Sequence, residues 1–303
     1  MQGNQLPIGA RRYYPRSYYD DAGRMMNLSS SVLMSGEATL ENIQAYLFDL
    51  DGSVYFGETI APGALALVSW LRDSGKQVRF VTNNSRHSSA EIAHKLGGMG
   101  IEAAAGDIVT ATDYMGRYVR ERYGLQRVGV AGSPKLNLSL QAAGHEVVPL
   151  ANQTELDAVV VGLDVDFTYA KLERLSNAIK DGARFIAANA DLSHPGESGR
   201  KVPETGALVA ALEAVSGKRA GFLGKPEPHL FRYALESCGL MQEKAAMIGD
   251  NYDTDIIGGK KAGMYTIWLS GLTLSERQDL ADKPDADLIV HHLPELYQRL
   301  GGN

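Results

Sequence analysis

The sequence predicts an α/β fold, a parallel-sheet core domain carrying an inserted second α/β layer. Three observations point to it. Short apolar runs stop abruptly at carboxylates: Tyr46-Leu47-Phe48 before Asp49 and Asp51, and Ala245-Ala246-Met247-Ile248 before Gly249 and Asp250. Buried parallel strands read as such runs, and open α/β sheets bind ligands beyond the carboxyl ends of their strands. Helical patterns lie between the runs at β–α–β spacing. Finally, a separate alternating strand–helix pattern fills about 107–203, between the two acidic runs.

Length and composition bound the function classes. At 303 residues, two domains or one domain with a large insertion is expected. A net charge of −6 without a Lys/Arg-rich stripe argues against nucleic acid as a partner. No apolar run reaches the ~20 residues needed to span a bilayer, so no membrane partner is expected. The single cysteine, Cys238, excludes an intrachain disulfide and fits a reducing, cytoplasmic setting. It closes a helical pattern stopped by Gly239 and reads as a small core side chain.

In chain order, residues 1–40 read as a poorly ordered extension. Tyr13, Tyr14, Tyr18, Tyr19 and Arg11, Arg12, Arg16, Arg24 show no period, and no signal-like apolar stretch precedes them. The strand at Tyr46-Leu47-Phe48 follows, and Gly52 permits a sharp turn just past the acid pair. Asp49 and Asp51 would repel in one small site unless a divalent cation, or a proton on one of them, relieves the charge. Pro62 and Gly63 open a helix carrying Leu65, Leu67, Val68 and Leu71, and Val78–Val81 is the next strand. A right-handed crossover puts Thr82 at the same sheet edge as Asp49. The Thr82-Asn83-Asn84-Ser85 segment that follows can cap a helix or bind an anion, and the two roles are compatible.

A helix over 89–100 ends the first core segment. The insert is expected to hold strands at 127–131, 146–148, 158–161 and 184–187 and helices near 113–123, 134–142 and 169–181. It has no dense acid or histidine cluster. The expected division is a core of 41–105 and 206–303 around an insert of 106–205. The turn-rich stretch 189–196 reads as a loop over the site, with His194 a candidate substrate contact. Beyond it, Lys225 before Pro226 sits at a strand-to-helix turn, a point charge suited to a phosphoryl group. Walker-type binding is excluded, because no Gly-Lys pair is followed by Ser or Thr. The last acidic run ends in Asp250-Asn251 and reaches Asp255. Asp49, Asp51, Asp250 and Asp255 thus form an oxygen-only set that suits Mg²⁺, and no His or Cys stands at zinc-ligand spacing.

Asp49-Leu50-Asp51-Gly52, Thr82-Asn83-Asn84-Ser85, Gly224-Lys225-Pro226 and Gly249-Asp250 with Asp255 resemble, in order, the four motifs of haloacid-dehalogenase (HAD) superfamily phosphatases. Each motif alone is weak; four in order are specific. The insertion between the second and third resembles a C2-type cap on a Rossmann-like core. The chain as a whole is similar to the para-nitrophenylphosphatase branch, which includes phosphoglycolate and pyridoxal phosphate phosphatases. The match covers about 43–300.

The resemblance implies hydrolysis of small phosphomonoesters. Asp49 would attack phosphorus to form an aspartyl-phosphate, and Asp51 would act as general acid, then base. A second acid of this kind argues against dehalogenation. Mg²⁺ would be held by Asp49, Asp250 and the backbone carbonyl of Asp51, while Asp255 and Asn251 would orient the groups around it. Thr82 and Lys225 would stabilise the phosphoryl oxygens. Asn83, Asn84, Arg86 and His194 would contact the substrate. The expected partner is a small phosphorylated metabolite, with a homodimer as one possible assembly. A phospho-ligand sensor without turnover, or a phosphotransferase using the same intermediate, are the alternatives.

Overall fold

A computed structural model describes residues 40–151, 154–195, 200–271 and 285–302. The expected N-terminal extension, apart from Leu40, lies outside the described residues, as does the last position of the 189–196 loop. Six parallel strands form the core sheet. Their order is β15 (Leu288–Val290), β14 (Tyr265–Leu269), β13 (Ala245–Gly249), β1 (Ala45–Phe48), β4 (Gln77–Thr82) and β5 (Ile108–Thr110). A short hairpin of β2 (Tyr55–Phe56) and β3 (Thr59–Ile60) leaves the loop after β1. All four residues of β1 are buried, as an apolar strand covered on both faces should be. Fully burying a side chain such as Leu47 or Phe48 contributes about 1.5–3 kcal/mol.

The helices follow from capping and periodicity. Helix α1 (Ala64–Asp73) buries Ala64, Leu67, Val68 and Leu71, the i, i+3, i+4, i+7 stripe that faces a core. Helix α2 (Ser89–Gly98) starts at a capping box, in which Ser88 and Glu91 satisfy each other's backbone N–H groups. Ser88, rather than Ser85 of the preceding segment, makes that cap.

The second sheet has five parallel strands, in the order β12 (Gly221–Phe222), β9 (Arg184–Ala187), β8 (Ala158–Val161), β6 (Arg127–Ala131) and β7 (Glu146–Val147). It is layered with α3 (Ala111–Tyr123), α4 (Pro134–Ala142), α5 (Tyr169–Lys180) and α6 (Thr205–Ser216). An antiparallel pair, β10 (Ser193–Pro195) and β11 (Lys201–Pro203), follows it. The chain then completes the core with α7 (His229–Cys238), α8 (Ile257–Lys261) and α9 (Leu293–Arg299).

Sheet pairing draws the border of the insert differently from 106–205. Strand β5 lies beyond 106 yet pairs with β4 in the core sheet, Thr110 beside Thr82. Strand β12 lies beyond 205 yet extends the second sheet along β9. Strands of two or three residues show no period, so only their neighbours define them. The layers also share apolar packing. One buried cluster joins Leu47, Val81 and Met247 of the core sheet with Met115, Leu136, Val160 and Ile186 of the insert. A second cluster, on the other face of the core sheet, holds Phe48, Phe80 and Ile248.

Candidate active site

The site grows from register. Phe48 lies beside Ile248 on β13 and Phe80 on β4, so the residues one step beyond all three strands leave the sheet at the same edge. The Asp49 N–H still donates to the Ile248 carbonyl at 2.9 Å, which fixes the backbone where the carboxylate emerges. After it the chain turns tightly. The Leu50 carbonyl accepts from the N–H groups of Ser53, Val54 and Tyr55. Gly52 adopts φ +95°, and a Cβ there would lie 2.5 Å from an Asp250 carboxylate oxygen. Only glycine meets both demands.

That close approach clamps two motifs together. The Ser53 hydroxyl donates to Asp250 Oδ1 at 2.8 Å, and the Asp250 N–H donates to Ser53 Oγ at 3.0 Å. The Trp268 indole N–H donates to the Asp250 carbonyl at 2.8 Å. Lys225 is buried, and its ammonium bridges two carboxylates: Asp49 Oδ1 at 2.5 Å and Asp255 Oδ1 at 2.7 Å. Asp255 Oδ2 accepts the Asn251 N–H at 3.1 Å, while Asn251 Oδ1 accepts from the N–H groups of Asp253 and Thr254. Asn251 therefore shapes the π-helical turn Tyr252–Ile256 that delivers Asp255.

Carboxylate oxygens of Asp49, Asp250 and Asp255 lie within 4.8 Å of one another. A donor set made only of oxygens fits a hard divalent cation. Asp255 already spends one oxygen on Lys225 and the other on a backbone N–H, which suits it to orienting rather than ligating. Electrostatics agree that the site is short of positive charge. Burial, then the charge of Asp49, raises the Asp250 carboxyl above its usual range, with the Ser53 hydroxyl opposing. Asp51 is raised by desolvation and then by Asp49, against the Tyr55 hydroxyl that donates to it at 3.1 Å. Burial raises Asp255 most, and Lys225 holds it back. For Lys225, burial disfavours the ammonium, but Asp255 and Asp49 together outweigh it and push its pKa up.

The remaining expected residues divide by what they touch. Thr82 is buried, and its Oγ1 accepts the Asn84 N–H at 3.1 Å, which leaves its own O–H to donate. Asn84 Oδ1 accepts from the N–H groups of Arg86 and His87, so its amide builds the turn before α2. Arg86 is exposed beside it. Expected on the substrate, the Asn83 amide is occupied by protein. Its Oδ1 accepts the Lys225 N–H at 2.7 Å, and its Nδ2 donates to Asp191 and to the Lys225 carbonyl. His194 lies on β10, about half exposed, with Nδ1 2.7 Å from Glu204 Oε1. The 189–196 loop does reach the core tips, since Asn189 Nδ2 donates to the Asn83 carbonyl at 2.7 Å.

Three contacts were not anticipated from the sequence: Ser53 on Asp250, Asp191 on Asn83, and those of Ser85, which was named only as part of the second motif. The Ser85 hydroxyl lies 2.9 Å from that of Thr205 and accepts the Leu163 N–H, joining the second core motif to the insert. Only a serine after Asp-x-Asp-Gly, with a hydroxyl able to reach the next acidic tip, offered any signal for the first. The other two pair residues far apart in sequence.

Residues 46–146 match the family of haloacid dehalogenase-like hydrolases, and residues 222–296 match a HAD-hydrolase-like family. The acid sugar phosphatase of Staphylococcus saprophyticus is 36% identical over 246 residues, 81% of this chain and 93% of that one. The structure resembles 4-nitrophenylphosphatase from Thermotoga maritima with a TM-score of 0.76 at 31% identity, covering 85% of this chain and 97% of that one. It resembles NagD from E. coli K-12 with a TM-score of 0.74 at 26% identity, covering 84% and 98%. Three motif-bearing strand tips on one sheet edge, a buried lysine between carboxylates and these likenesses agree: the chain belongs to the haloacid dehalogenase superfamily, on its para-nitrophenylphosphatase-like branch, and is a phosphoric monoester hydrolase.

Proposed function

We propose that the chain hydrolyses small phosphomonoesters, with Mg²⁺, through an aspartyl-phosphate on Asp49. The carrying observation is the Lys225 bridge between Asp49 and Asp255 beside Asp250. It holds one Asp49 oxygen and leaves the other for phosphorus. Nucleophilic attack by that oxygen splits one hard displacement into two easier ones. Asp51, whose carboxyl burial and then Asp49 raise above its usual range, gives a proton to the departing alkoxide and then takes one from the attacking water. The Thr82 O–H and the Lys225 ammonium stabilise charge on the transferring oxygens, the main task in phosphoryl transfer.

Asp49, Asp250 and the Asp51 carbonyl would hold Mg²⁺, which when bound supplies Lewis-acid neutralisation of phosphate charge. Asn84, Arg86, His194 and the 189–196 loop bound the space for the rest of the substrate. The curated relatives carry the name acid sugar phosphatase, which makes sugar phosphates the first compounds to test, ahead of phosphoglycolate, pyridoxal phosphate and nucleoside monophosphates. Among the described residues no helix is long and apolar enough to cross a membrane. The deciding experiment is a rapid acid quench during turnover of 4-nitrophenyl phosphate, followed by mass spectrometry. A phosphoryl group on the peptide carrying Asp49 is expected; phosphate release without that adduct contradicts the intermediate.

A further inference from the structure

Asn83 sits where three segments meet. Its carboxamide faces the backbone of Lys225, accepting from the N–H at 2.7 Å and donating to the carbonyl at 3.2 Å. Its remaining donor reaches Asp191 Oδ2 at 3.1 Å. From the other side Asn189 Nδ2 donates to the Asn83 carbonyl at 2.7 Å, and Asn189 Oδ1 accepts the Asp191 N–H at 3.1 Å. The packing leaves no slack. A Cβ on Gly224 would lie 2.5 Å from both Asn83 Oδ1 and the Ala188 carbonyl oxygen.

We propose that Asp191, on the loop leaving the second sheet, is a positioning residue that sets Lys225 through Asn83. The reason is the asymmetry of a carboxamide. The Lys225 N–H only donates and its carbonyl only accepts, so Oδ1 faces the N–H and the NH₂ faces the carbonyl, which aims the second NH₂ hydrogen at Asp191 Oδ2. With its backbone pinned at the turn, Lys225 extends its ammonium to Asp49 and Asp255. Without Asp191, the amide keeps only its two bonds to the Lys225 backbone and loses the third that anchors it to the insert, so the lysine turn loses its brace. Because the brace comes from the insert, the loop that leaves β9 also governs the catalytic lysine. The inference rests on the phosphatase reading for its effect on rate, but its structural part does not.

Two measurements test it, one without turnover. Hydrogen exchange followed by mass spectrometry reads the peptide bearing the Lys225 N–H. Faster exchange is expected in Asp191→Ala and parent-like exchange in Asp191→Asn, whose carboxamide oxygen still accepts; unchanged exchange in Asp191→Ala overturns the proposal. In steady-state assays with 4-nitrophenyl phosphate, Asp191→Ala should lose roughly tenfold to hundredfold in kcat, as for a displaced catalytic group, with KM little changed. Asp191→Asn should recover most of that rate, and Asn83→Ala/Asp191→Ala should be no slower than Asn83→Ala alone. A rise in KM with kcat intact, or additive losses in the double variant, overturns the proposal. Should Asp191→Ala fail to fold, Asn83→Asp keeps the volume but sets a like charge against Asp191, and carries both tests with the same expected losses. A parent protein with no turnover contradicts the phosphatase reading alone, because the exchange result stands by itself.

Discussion

The two parallel sheets end in different chemistry. At the carboxyl edge of the core sheet the chain places Asp49, Thr82 and Asp250, and a neighbouring turn adds Asp255. At the same edge of the second sheet stand Gly132 after β6, Gly162 after β8 and Ala188-Asn189 after β9. One edge gathers like charges that demand a cation, and the other offers small residues and amides. The small residues allow contact: a Cβ on Gly162 would lie 3.1 Å from the Ser85 carbonyl oxygen. The insert therefore contributes shape and hydrogen bonds where the core contributes the acids, and Lys225, three residues past β12, brings its ammonium to those acids from the second sheet's side. Shared apolar packing between the layers holds the two edges together. Parallel strands alone do not dictate the use of a sheet edge; the residues at and just past each strand tip do.

If that division holds, changes on the core edge should abolish chemistry, and the largest effect belongs to the nucleophile. Asp49→Asn should cut turnover of 4-nitrophenyl phosphate by roughly 10⁴-fold or more while near-UV circular dichroism stays native; appreciable residual turnover removes Asp49 from that role. Chelation by EDTA should bring activity to background and added Mg²⁺ should restore it, read by phosphate release. Full activity in EDTA contradicts the cation requirement.

Lys225→Met should lose both activity and stability. It leaves the buried carboxylates Asp49 and Asp255 without their common partner, a loss of about 3–5 kcal/mol by chemical denaturation. An unchanged denaturation midpoint would show that the pair does not support the fold. Asp51→Asn should slow alkyl phosphates by roughly 10²–10⁴-fold and nitrophenyl phosphate much less, because a good leaving group needs no acid. The pH dependence has a definite sign. A raised carboxyl holds its proton to higher pH, so alkyl ester turnover should fall as pH rises through that value, and the fall should vanish in Asp51→Asn. Equal losses on both substrates argue against the acid. The smallest effect is expected for Ser53→Ala, which removes the buried hydroxyl from Asp250 at a cost of about 1 kcal/mol and raises the Mg²⁺ concentration needed for half-activation. An unaltered Mg²⁺ requirement would limit Ser53 to packing.

The core acids were legible because a buried parallel strand writes itself as an apolar run, and its stop marks the sheet edge. Asp49, Thr82 and Asp250 could be named on that ground, and Lys225 from the proline that follows it, together with the order of the four motifs. Helix α2 was legible over 89–100, and the structure ends it at Gly98. The border of the insert was less legible. Ile108–Thr110 carries no period of its own and joins the core only because β4 stands beside it. Asn83 was legible as a site residue but not in its task, since an amide beside two acids looks the same whether it meets substrate or backbone.

What the chain determined by itself is the set of strand tips and the residue types on them, because strand, turn and cap are local and short-range forces select them. Tertiary structure alone decided which groups meet. Lys225 finds Asp49 across 176 positions, and Asn83 finds Asp191 across 108. Such contacts depend on how the two sheets pack, a property of the assembled apolar core that no stretch of sequence encodes singly.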